Sequence, residues 1–152
     1  MYIKLWSTII ILAAIIVAGA YKFIIQGSTH PGDDGRMAVE LTASERNLVL
    51  SEMRLFLETV QQVTAAMGNN TLPQAAPALK RVGSAARGNI PASLMAKLPI
   101  SFKQLGFDTH AQFDALAEFA ASGDQVQAAQ KLGQLLTNCI ACHAAYQIEV
   151  SE

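Results

Sequence analysis

The chain reads as all-α: an antiparallel four-helix bundle carried on an N-terminal transmembrane helix. Three observations predict this. A long apolar run fills the first 25 positions, and from residue 42 onward apolar side chains recur at three- and four-residue steps between recognisable helix stops. Nowhere does an alternating apolar pattern last long enough for a sheet. The 152 residues suffice for one domain with a core and one further segment.

The apolar excess, 51% of all residues, is concentrated at the start. Leu5 to Tyr21 is broken only by Ser7 and Thr8, with Lys4 before it and Lys22 just after. Extended from Ile3 to Ile25 it covers 23 residues, where a bilayer core needs about 20. Lys22 suits a snorkelling position, and Tyr2, Trp6 and Tyr21 suit the aromatic belts. The rival reading is a cleaved signal peptide, for which Ala18-Gly19-Ala20 is an acceptable site. A retained anchor is preferred because Phe23-Ile24-Ile25 continues the apolar run past that site. Both readings export the remainder. Residues 1–26 are thus an anchor or uncleaved signal, residues 27–41 a flexible linker rich in Gly, Asp and Pro, and residues 42–152 the helical domain. His30, in the linker, is expected to be a solvated loop residue.

Thr42-Ala43-Ser44-Glu45 has the form of a capping box opening the first helix of the bundle. Arg46, Leu50, Met53, Leu57, Val60, Thr64 and Met67 form one stripe along it, and Val49, Phe56 and Val63 a second. Gly68-Asn69-Asn70 stops it. A second helix is expected from Leu72 to about Arg87, weakened at Gly83. Pro91 and Pro99 suggest short helical pieces near 91–97 and 99–105. Asp108 or Thr109 caps a third helix through Ala121, with Phe113, Leu116, Ala117 and Ala120 facing inward. After Ser122-Gly123-Asp124, a last helix is expected from Gln125 to about Ile148.

The charge excludes one class of partner. Of 11 basic side chains, Lys4 and Lys22 lie in the apolar segment, leaving nine against 12 acidic ones and no basic block. There is no electrostatic footprint for nucleic acid. No paired carboxylates, nucleophile triad or phosphate loop supports catalysis, so no enzyme activity is expected.

The chemistry is carried by Cys139-Ile140-Ala141-Cys142-His143, which fits the C-x-x-C-H haem-attachment pattern. Two thiols three positions apart on a helical turn match the two vinyl groups of a haem, and His143 then supplies the proximal imidazole to iron. A thioredoxin-like pair requires a preceding strand, a zinc site about four ligands, and a simple disulfide leaves His143 unexplained. The expectation is one covalent haem c, and since such haem is attached outside the cytoplasm, a haem domain in the periplasm on a single-pass bacterial inner-membrane anchor. Leu132, Leu135, Leu136, Ile140 and Tyr146 are expected as apolar walls.

With the motif near the C-terminus, the helical turn Ala121-Ser122-Gly123-Asp124 and Tyr146 three residues past His143, the sequence resembles the class II c-type cytochromes, the cytochrome c-prime family. The resemblance covers roughly residues 42 to 148, weakly from 70 to 106. It implies a haem between the first and last helices of the bundle, often in a homodimer. It also implies that Arg46 neutralises a propionate and that Leu50 covers the distal face, leaving iron open to NO or CO. Met53, on the same stripe, is the alternative sixth ligand, which would make the protein a low-spin electron carrier; His110 is a third choice. The sequence departs from the family at Gln147, where relatives carry a basic residue near the propionates, in a shorter segment before the third helix, and in the anchor itself. The expected function is electron transfer to or from a periplasmic or membrane redox partner, the alternatives being gas binding or an accessory haem subunit of a membrane complex.

Overall fold

The computed structural model describes residues 2–151. It contains six α-helices and a small three-stranded sheet, so the chain is mostly helical without being a pure four-helix bundle. Helix α1 (Tyr2–Ala20) runs on through a π-helical segment, Tyr21–Gln26. Together they are long and apolar enough to cross a membrane or to serve as a signal sequence: Lys4–Gln26 is 23 residues with none of its apolar window buried against the domain. Trp6 and Tyr21 are exposed on it, while the Tyr2 side chain lies outside the described residues.

The expected flexible linker is instead structured. Strands β1 (Thr29–Pro31) and β2 (Met37–Leu41) pair antiparallel, and β3 (Tyr146–Val150) joins β2 in parallel, with Met37 opposite Tyr146 and Leu41 opposite Val150. The last helix, α6 (Gln125–Ala145), therefore stops before Tyr146 rather than reaching Ile148. Arg36 finishes it, donating to the carbonyl oxygens of His143 (3.4 Å) and Tyr146 (3.2 Å) and to Gln147 (3.1 Å); a cation suits a helix C-terminus. His30 is not merely solvated. Its ring nitrogens lie 3.0 Å from Glu40 and 3.1 Å from Glu149, two carboxylates directly opposite each other across β2 and β3. A like-charge pair there is unfavourable alone; the imidazole stands between the two carboxylates and is hydrogen-bonded to Glu149 through Nε2.

Helix α2 (Ala43–Gly68) begins and ends as its local chemistry dictates. Thr42 accepts from the Glu45 N–H at 3.3 Å, Glu45 accepts from the Thr42 N–H at 2.9 Å, and Asn70 turns the chain at φ 56°. Glu45 also takes an ion pair from Lys97 at 2.6 Å. That pair, with the Thr42 N–H and hydroxyl, holds the Glu45 carboxyl down to about 2. A carboxyl lowered on folding stabilises the fold above its unfolded value near 4.5, and the contribution is lost as pH falls from there toward 2. Glu45→Gln should cost about 2 kcal/mol at neutral pH, discounting for the part-exposed Lys97. The gap to the parent should narrow in denaturation curves taken below about pH 4.5 and close as pH reaches about 2.

The expected second helix is broken in three. A 3-10 turn at Leu72–Ala75 leads into α3 (Ala76–Arg81), and a further 3-10 segment spans Ser84–Asn89. Gly83 sets the break, because a Cβ there would collide with the Asp114 carboxylate, which accepts from the Ser84 N–H at 2.8 Å. Helix α4 (Ala92–Lys97) matches the expected short piece. Helix α5 (Ile100–Ser122) starts at Pro99, well before Asp108. Asp108 is not a cap; it accepts from Gln112 (2.6 Å) and from Asn138 of α6 (2.7 Å). Gly123 closes α5 at φ 77°, and Asp124 caps α6 by accepting from the Gln127 N–H at 2.9 Å.

Two hydrophobic clusters result. The larger joins α2, α3, α5 and α6 through Phe56, Val63, Leu79, Phe113, Leu116 and Leu135. The smaller, Val39, Leu41, Val49, Leu94 and Leu98, sits under the sheet. Met53 packs on both.

Candidate functional site

Helix α5 is packed closely along α6 and over α3, whereas α2 and α6 make little direct contact. Between them lies a cavity of about 640 Å³, reached by Leu48 to Leu57 of α2, Leu94 of α4, Phe102 and Leu105 of α5, and Leu136 of α6. This volume falls in the range of roughly 300–1,000 Å³ found for ligand and cofactor sites, which are mostly apolar with a few placed polar groups.

Cys139, Cys142 and His143 are all on its wall. They come together for a local reason: helical pitch places residues three and four apart on one face. The cysteines are free and partly buried. Burial pushes both thiols above their ordinary values, and the neighbouring Cys139 raises Cys142 further. Cys139 sits 3.8 Å from the Leu135 carbonyl oxygen, to which its thiol donates. A redox-exchange pair has the opposite setting, with a thiolate stabilised at a helix N-terminus; here both sulfurs lie toward the C-terminal end of α6, whose dipole disfavours a thiolate. The pair is built as neutral thiols facing an apolar space.

Leu50 and Met53 also line the cavity, on the α2 side. Arg46 does not: it lies half-buried two residues before the first lining residue, Leu48. Arg54, two turns on, is on the wall and exposed, and among the described residues it has no carboxylate within ion-pair distance. Of the expected apolar walls, only Leu136 serves. Leu132 and Leu135 pack into the larger cluster, Ile140 is 70% exposed, and Tyr146 stacks edge-on against Phe102 and bonds Ser101.

One polar pair interrupts the apolar lining. His110, only 2% exposed, has Nδ1 at 2.8 Å from the Val82 carbonyl oxygen and Nε2 at 3.4 Å from Glu52. Burial disfavours its imidazolium, yet the Glu52 carboxylate and the Val82 carbonyl outweigh that and raise it above its ordinary value. With both nitrogens engaged, His110 is committed to the scaffold rather than aimed at a ligand. Asn138 completes the wall next to Cys139, held by Asp108.

The donor set and the space would fit a flat, largely apolar cofactor, with two sulfurs and an imidazole on the same wall to hold it. Comparisons of the chain with protein-family models, with curated proteins and with solved structures find no match.

Proposed function

We propose that the chain is a membrane-anchored c-type cytochrome that holds one covalent haem between α2 and α6 and passes single electrons to or from a membrane or periplasmic redox partner. The observation that carries this reading is the coincidence of the C-x-x-C-H residues with the wall of the apolar cavity. When bound, haem supplies one-electron iron chemistry, with a potential set by the axial ligands, hydrogen bonds and burial. The residues do the rest. Cys139 and Cys142 would hold the group by thioethers, and His143 would supply the nitrogen ligand to its iron. Leu50 and Met53, on the α2 side of the cavity, would exclude water. Arg54, on the wall, takes the counter-charge role toward carboxylates that the resemblance assigned to Arg46. An apolar span of 23 residues supports an anchor, and haem of this type is attached outside the cytoplasm, which favours a domain on the outer face of a bacterial inner membrane.

Gas binding is the second reading, favoured by one observation: Met53 is engaged in both hydrophobic clusters, where an unbranched thioether fills gaps. Pulling it toward a metal would cost that packing. A visible spectrum of the reduced protein tests the choice. We expect a broad, high-spin Soret band that shifts on adding CO, unchanged in position by Met53→Leu. A sharp low-spin spectrum insensitive to CO, altered by Met53→Leu, assigns the sixth position to Met53 and leaves electron transfer alone.

A further inference from the structure

We propose that the corner where α4 meets α5 is seated directly in the phosphate layer of the bilayer, through a backbone joint at Gly27. This rests on the reading of Lys4–Gln26 as a retained membrane span. The first residue after that span is buried, at φ 67°, and a Cβ there would collide with the Lys97 carbonyl oxygen and the Leu98–Pro99 backbone. The next residue, Ser28, donates its N–H to the Lys97 carbonyl at 2.7 Å and accepts from the Glu40 N–H at 2.8 Å. Lys103 of α5 reaches back to the Ile24 carbonyl, inside the last turn of the span, at 3.4 Å.

No slack remains between membrane and domain. Two residues cover at most about 7 Å. The headgroup region on each side of a bilayer is roughly 5–8 Å thick, the difference between its core and its full width. A corner bonded to Gly27 and Ser28 must therefore lie in or against that layer. Its charge suits phosphates: Lys22 and Lys103 stand at this end of the span, while Lys97 is already neutralised by Glu45. Helix α4, the connection after it and α5 carry Leu94, Leu98, Phe102 and Leu105 from this corner into the cavity wall. The cavity is thereby held at a fixed height and orientation close to the membrane, so a partner must meet it in the plane of the same bilayer.

The test uses the full chain, matured with its haem, in vesicles of phosphatidylcholine and phosphatidylglycerol. Intact mass first establishes whether the span is retained. Amide hydrogen exchange at Ile100, Ser101 and Phe102, whose N–H groups open a helix and lack intrahelical partners, is then compared with a variant carrying a flexible Gly-Ser insertion between Gln26 and Gly27. The parent should exchange about threefold more slowly or better, and Lys103→Gln should narrow that difference. A chain beginning at Tyr21 removes both the anchor and this proposal. A retained span with equal exchange in parent and insertion variant overturns the seating while leaving the anchor standing.

Discussion

Replacing Cys139 and Cys142 together by alanine, in a host able to attach haem, should yield a protein that folds but keeps no pigment through acid-organic extraction. The parent should keep all of it. On the proposed function the effect is expected to be complete because each sulfur would form one of the two bonds to the group, and the rest of the site is an open cavity between α2 and α6, which scarcely touch. His143→Ala separates attachment from ligation. Its thioethers remain, so the pigment should stay covalent, while loss of the proximal nitrogen should change the spectrum grossly. If instead the cysteines were an exchange couple, the unpigmented parent would react quickly with an alkylating reagent at neutral pH. Burial holds both thiols high, so alkylation should be slow. Rapid, stoichiometric labelling would count against the neutral-thiol reading.

Phe113→Ala should be the most damaging single change away from the motif, lowering the unfolding free energy by about 3–5 kcal/mol. Phe113 is fully buried in the larger cluster and its ring lies 5.0 Å from that of Phe56, a cavity residue that also meets His110 edge-on at 5.2 Å. The substitution therefore leaves a void directly behind the cavity wall. Phe107 is the control. It sits on the same helix at 36% exposure with Arg87 over its ring, and Phe107→Ala should cost about 1 kcal/mol or less. Denaturant titration in detergent, at neutral pH, compares the two. Equal losses would mean that the two phenylalanines are not distinguished by burial.

The sequence was most legible where chemistry is local. Thr42 and Glu45 lie within one turn and cap each other, Gly123 and Asp124 stop one helix and start the next, and the inward set Phe113, Leu116, Ala117 and Ala120 is wholly buried. The Cys139, Cys142 and His143 arrangement follows from helical pitch alone. What failed depends on partners distant in the chain. Strand β2 reads Met-Ala-Val-Glu-Leu, with two adjacent buried residues where alternation would be the signal. Its parallel partner begins more than a hundred residues later. Asp108 has the composition of a cap but spends its carboxylate on Asn138, so α5 begins earlier than it. Arg46 and Arg54 share one helix, and periodicity cannot say which of them lies beside a gap whose extent is set by α4 and α6.

The parallel pairing of β2 with β3 has a consequence for biogenesis. Its two strands enclose α2 to α6, so the ring they close spans almost the entire domain after the apolar segment. If the domain is exported as proposed, the chain would deliver residues 146–150 only after all of those helices, and such distant pairing forms late. The thiols precede those residues by only a few positions. On the proposed function, haem loading would fall in the interval before β3 pairs with β2, and trimming back to Ala145 should leave a domain that accepts pigment but is readily digested by protease.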